Sequence, residues 1–228
     1  NNTAKTEHIS TMKWEWERRG SRIKLKNSKM KKILLVLLIW SCQSVGTNSK
    51  VDNLEGWLPY ENSQIGWNIQ YPSNYSIMPQ SEIDMIENRG LNALENSTGE
   101  NIEKNYENLL WIRGAGMNGL TSVLQDNSSF TDNEIIQEEE EADSLMIQSI
   151  RNQGIRMEYK FDSEEIDNLN FKTFKAKYFS REGKVFLNQK SFDHYFDNKQ
   201  VLSITINYTT DSIGMELERI VQTSKFIK

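Results

Sequence analysis

Beyond residue 41 the chain holds one cysteine, Cys42, and one histidine, His194, and these set the limit on its nucleophilic and metal chemistry. A thiol can act as nucleophile, metal ligand or lipid acceptor, and an imidazole as proton shuttle or metal ligand. Asp193 and Asp197 flank His194 in a way that suggests a metal site. On a strand, however, His194 points away from Asp193, Tyr195 and Asp197. With no second histidine or cysteine, transition-metal ligation and Ser-His or Cys-His catalysis lack their parts. Gly114-Ala115-Gly116-Met117-Asn118-Gly119 has the glycine spacing of a dinucleotide loop and follows a strand. That motif must open a helix inside a parallel βαβ unit, whereas Leu120 to Gln125 reads as another strand, so a hairpin turn is expected here. Ser-x-x-Lys occurs only at Ser10, Ser21 and Ser28, ahead of the folded part, and carries no weight as a hydrolase signature.

Two acidic runs remain. Glu138 to Glu141 could bind a metal, but carboxylates are favoured in the first turns of a helix by the backbone dipole, and a solvated helix start is expected. Asp162-Ser163-Glu164-Glu165-Ile166-Asp167-Asn168 could hold calcium as a loop, yet it lacks the spacing and central glycine of an EF-hand loop. A carboxylate pair of the glycosidase kind stays possible on numbers alone. No catalytic, cofactor-binding or metal-ligating residue is therefore assigned.

Cys42 has a different context. Met30-Lys31-Lys32 precedes the apolar run Ile33 to Trp40, and Ser41-Cys42 follows it. Eight helical residues span roughly 12 Å, too short for a hydrocarbon core of ~30 Å. Two lysines followed by such a run instead match the n-region and h-region of an export signal. Leu38-Ile39-Trp40-Ser41-Cys42 further resembles the lipobox of bacterial lipoproteins, with a branched apolar residue three before the cysteine and a small residue directly before it; Trp40 is bulkier than that pattern prefers. The resemblance implies diacylglyceryl transfer to Cys42, cleavage before it, and acylation of the new amino group. It also explains a lone cysteine in an exported chain.

Residues 1–29 carry basic residues without apolar periodicity and are expected to lie outside the fold, residues 30–41 to form the signal, and 42–53 a lipidated flexible tether. Residues 54–228 are sized for one compact domain. The whole chain has a net charge of −5, but ten Lys/Arg and three Asp/Glu fall within residues 1–41, leaving 17 against 29 and a net −12 thereafter. So acidic a domain repels phosphate backbones, which excludes nucleic acid as a partner. Its expected partners are a membrane, through the anchor at Cys42, and an envelope protein; no cofactor is implied.

Elements follow from periodicity. Gly66 to Tyr71 alternates as a strand; Ser81 is a fair N-cap for a helix to about Leu94; Asn108 to Arg113 and Leu120 to Gln125 are strands. A helix carries Ala142, Leu145, Met146, Ser149 and Ile150 and stops at Gly154. Strands at Arg156 to Phe161, Phe171 to Ser180, Lys184 to Phe196 and Gln200 to Tyr208 make an antiparallel meander with one buried face. A last helix, from Asp211 or Ser212 to Ser224, turns Ile213, Leu217, Ile220 and Val221 towards it. Within this order, Gly66-Trp67-Asn68-Ile69-Gln70-Tyr71-Pro72-Ser73-Asn74-Tyr75 resembles the strand-then-Tyr-Pro-x-x-aromatic opening of PsbP-like proteins, and Ser224-Lys225-Phe226 is similar to their close. The resemblance implies an α/β (α+β) fold, an α/β/α sandwich around a mainly antiparallel sheet. Its members serve mainly as non-catalytic binding or assembly factors, many bacterial ones being small exported lipoproteins. The expected role is a non-catalytic, membrane-anchored binding module of the envelope. The alternatives are a carboxylate-based envelope hydrolase, with two convergent buried carboxylates of raised pKa in a cleft, or an apolar-ligand carrier, with an apolar cavity between sheet and helix.

Overall fold

The alternating run Leu202, Ile204 and Ile206 is fully buried at the middle of a seven-stranded sheet. The computed structural model describes residues 55–98 and 104–227; Cys42 and the signal and tether segments lie outside them. Chain order is β1 (Trp57–Asn62), β2 (Trp67–Pro72), β3 (Ser76–Ile77), α1 (Gln80–Thr98), β4 (Tyr106–Arg113), β5 (Gly119–Asp126) and α2 (Asp132–Asn152). There follow β6 (Arg156–Ile166), β7 (Leu169–Phe179), β8 (Val185–Tyr195), β9 (Gln200–Tyr208), α3 (Asp211–Gln222) and β10 (Lys225–Phe226). The large sheet has the order β3-β4-β5-β9-β8-β7-β6 and its paired strands are antiparallel throughout.

Two apolar cores lie on opposite faces of that sheet. On one face Leu120, Leu202, Ile204, Ile206 and Phe192 pack against Leu217, Ile220 and Val221 of α3 and against Trp67, Ile69 and Tyr71 of β2. On the other face Phe174, Ala176, Tyr178 and Leu187 pack under Ile150, at the C-terminal end of α2. The result is a three-layer sandwich, the α+β fold expected from the sequence. Trp67 locks the first core by donating its indole N–H to Ser224 Oγ at 3.1 Å.

The structure departs from the sequence reading at several places. β1 was not foreseen; it pairs with β2 at the edge of a small sheet of order β1-β2-β10, where Pro59 is tolerated because an edge leaves a free side. α2 starts at Asp132, well ahead of Glu138, because Thr131 and Glu134 form a reciprocal capping box. Asp162 to Ile166 is not a loop but the second half of β6, turning into β7 through Asp167 and Asn168 at φ 50° and 62°. The meander is buried on both faces, not one: Ser203 and Thr205 are each 3% exposed. α2 covers the polar side that alternation alone assigns to solvent.

Candidate functional site

Antiparallel register brings the site together. Ser203 on β9 pairs with Asp193 on β8, and Asp193 with Lys172 on β7, so three polar side chains form a row across the face beneath α2. Gln125, Val201 and Tyr195 form the next row. From above, Glu139 and Asp143 project at i and i+4 spacing from one stripe of α2. Between helix and sheet lies a cavity of about 100 Å³ whose walls include Glu138, Glu139, Asp143, Lys172, Asp193 and Ser203, with apolar surface from Met146, Phe161, Phe174 and Val201.

Among the described residues, Lys172 is the only cation on those walls. Its ammonium bonds to Glu139, stands 3.8 Å from Asp143 and lies 5.2 Å from the centre of the Phe161 ring. Burial works against the Lys172 charge, but Glu139, Asp143 and Asp193 outweigh it and raise its pKa. Asp193 is different. Facing the cavity, it keeps some accessible surface, yet protein encloses its carboxyl. Burial, aided by the neighbouring Glu139 and Asp143 charges, pushes the pKa up to about 7, although Ser203 and Lys172 favour the ionised form. Asp143 is raised too, chiefly by burial, with Lys172 opposing and Glu139 adding to the shift. Burial raises Tyr195 likewise, and its hydroxyl faces the Glu139 carboxylate.

Ser203 Oγ is closed off from solvent beside the Asp193 carboxyl, to which its hydroxyl bonds only loosely. Its neighbours are better satisfied: Gln125 donates to Asn127 at 2.8 Å, and Gln189 accepts from the Tyr178 hydroxyl at 2.6 Å. The arrangement offers hydrogen-bond acceptors and negative charge in a partly apolar enclosure, and one carboxyl group able to gain or lose a proton near neutrality. Among the described residues no group of three or more histidine, cysteine or carboxylate side chains is arranged to hold a metal ion.

The residues singled out from sequence fall elsewhere, with two exceptions. His194 is on the opposite face, its ring 5.1 Å from Phe171 and 4.6 Å from Phe196, with Nδ1 2.9 Å from the Asn170 carbonyl. Asp193 and His194 therefore diverge as alternation requires, and Asp197 is exposed beyond the end of β8. Gly114 to Gly119 forms the β4–β5 hairpin, closed by the Gly114 N–H donating to the Asn118 carbonyl at 2.9 Å. Of the run Glu138 to Glu141, the first two residues line the cavity, so the acidic stretch is not simply a solvated helix start. In β6, Glu164 accepts from Lys175 at 2.7 Å and Lys190 at 3.0 Å, and Asp167 holds Lys225 and the Phe226 N–H, each at 2.8 Å. Sequence reasoning missed Lys172, Asp143 and Ser203, and met Asp193 only as a neighbour of His194. The usable signal was register: strands of nearly equal length with short turns already place Ser203, Asp193 and Lys172 side by side.

No protein-family profile matches this chain, and no curated protein sequence matches it either. In structure, the three-layer arrangement defines a PsbP-like fold. The solution structure of cyanobacterial PsbP (CyanoP) from Synechocystis sp. PCC 6803 is similar with a TM-score of 0.51 at 10% identity, covering 83% of this chain and 99% of that one.

Proposed function

We propose that the chain is a lipid-anchored, extracytoplasmic binding module of a bacterial envelope, with the cavity beneath α2 as its ligand site. The observation that carries this reading is the polar row of buried Ser203, half-buried Asp193 and partly exposed Lys172 on a sheet face where stability alone would favour apolar side chains. A carboxyl group whose pKa is raised by burial at the wall of a cavity is a mark of a site. The signal-like run ending at Cys42, followed by a polar tether, supports display of the domain outside the cytoplasm.

One observation favours a second reading. Asp143 and Asp193 both have raised pKa values in the same cavity, as a carboxylate-based hydrolase requires. Against it, Lys172 shares the space with both, and about 100 Å³ is small beside the roughly 300–1,000 Å³ of ordinary ligand pockets. An envelope polymer does not fit such an enclosure. Charged walls equally disfavour an apolar cargo.

The test is to express the lipidated full chain and an Asp193→Asn variant, extract both from native membranes, and identify what accompanies each by mass spectrometry. A small molecule retained by the wild type and lost with Asp193→Asn is expected. Turnover of an envelope polymer by the purified protein, with nothing bound, would overturn the binding reading in favour of the hydrolase.

A further inference from the structure

We infer that two copies of this chain join through the outer edge of β6, antiparallel about a twofold axis at Tyr159, so that their large sheets merge into one. The inference does not depend on the cavity beneath α2 being a ligand site.

The first observation is an edge left open. An exposed edge strand offers unpaired N–H and C=O groups to other chains, and proteins blunt such edges by shortness, proline or a bulge. The other edges here are blunted in that way: β3 and β10 have two residues each, and β1 carries Pro59. β6, at the far end of the large sheet, has eleven residues, no proline and an unbroken register with β7. Among the described residues no strand pairs with its outer side.

The second observation is the order of side chains along β6. Phe161 lies opposite Phe174, so Met157, Tyr159 and Phe161 face the α2 side while Arg156, Glu158, Lys160 and Asp162 face the other. Tyr159 and Phe161 are 41% and 43% exposed, with ring centres 5.9 and 5.2 Å from that of Phe174. This aromatic patch stops at the open edge, where a facing strand would complete it.

Charge selects the partner and the register. Both copies turn outward the N–H and C=O of the same alternate residues, so antiparallel pairing puts the twofold axis on a residue. With the axis at Tyr159, Arg156 faces Asp162, Glu158 faces Lys160 and Met157 faces Phe161, each pair made twice. An axis one residue earlier sets Glu158 against itself and Arg156 against Lys160. One residue later, Lys160 meets itself and Glu158 meets Asp162; two later, Glu158 meets Glu164. Two earlier, Lys160 and Asp162 run past the start of β6. Within one chain Arg156 pairs with Glu158 at 2.6 Å and Lys160 with Asp162 at 3.1 Å. Across the axis at Tyr159 these couples meet as a checkerboard of alternating sign, self-complementary as a twofold interface has to be.

Sedimentation velocity of the full chain in detergent, over a concentration series, reads the association, and circular dichroism reads the fold of each variant. The wild type is expected to dimerise. Glu158→Lys and Lys160→Glu each set two like-charged pairs across the axis, and each should weaken the dimer at least tenfold. Mixed, the two variants complement each other at both places. A tagged Glu158→Lys chain should therefore retain untagged Lys160→Glu chain but not untagged Glu158→Lys chain. Glu61→Lys, the same reversal at an exposed position of β1, should leave the dimer unchanged. A wild type that stays monomeric throughout the series overturns the inference, whatever else is found against β6. So does a dimer that survives both single variants, or a folded pair of variants that fails to associate when mixed.

Discussion

Asp193 shows how one position in a register can matter more than its neighbours in sequence. Its carboxyl is held protonated into the neutral range by burial, so the folded state binds a proton that the unfolded chain releases near its ordinary pKa of 3.8. Between those two values the folded state carries more protons, and stability therefore falls as pH rises, levelling off above about 7. Urea unfolding at pH 5.0 and 7.5 should show Asp193→Asn gaining on the wild type by roughly 2–3 kcal/mol across that interval; an unchanged difference would show that the carboxyl is solvated. Lys190 makes the opposite case on the other face. It is 2% exposed, with Nζ 3.0 Å from Glu164 and 3.1 Å from Glu218. Burial opposes the Glu164 charge, but bonds from Lys175 and Lys190 more than offset it and lower its pKa. Lys190→Met leaves two carboxylates short of a partner and should cost on the order of 3 kcal/mol in the same assay, with Glu218→Gln restoring part of the loss in the double variant.

At the scale of elements, what could be read from sequence was what alternation alone determines. Gln200 to Tyr208 matches β9 residue for residue, and Leu217, Ile220 and Val221 of α3 bury as their spacing predicts. What escaped was whatever depends on a distant cover. Ser203, Thr205 and Asn207 read as a solvent face, because nothing within the strand says that a helix some 60 residues earlier lies over them. Likewise β10 is two residues long and exists only because β2 offers it a partner. Gly66 makes that join possible: at φ 62° a Cβ there would press into the Ile227 carbonyl. Gly66→Ala should cost about 2 kcal/mol or more, the left-handed penalty plus displacement of β10. Gly116→Ala, at φ 67° in open space, should cost only the backbone part, about 1 kcal/mol. Equal losses in thermal unfolding would mean that the β2–β10 pairing contributes nothing.

For the whole molecule, location and fold are separate questions answered by separate parts of the chain. No helix among the described residues is long and apolar enough to cross a membrane; under the lipid-anchor proposal, attachment rests on Cys42. Cys42→Ser should move the protein from the membrane to the soluble fraction on fractionation, since a domain of net charge −12 gains nothing from anionic lipid. A variant still sedimenting with membranes would remove the lipid anchor from the account. The candidate site was visible in the sequence only as scattered polar residues. Its residues came together when seven strands aligned and a helix closed over five of them.

That helix is unevenly fastened. Its C-terminal end is held by Ile150 in the second core, and its start by the Thr131 cap and by Lys199 donating to the Phe130 carbonyl at 2.6 Å. Across the cavity, the Lys172 pairing with Glu139 and Asp143 fastens the stretch between. That clasp is itself open to water, Lys172 being 39% and Asp143 31% exposed, so salt weakens it while the two ends stay held. Raising the ionic strength should therefore loosen the middle of α2 first, seen as faster amide exchange around Glu139 to Asp143 than at Ile150.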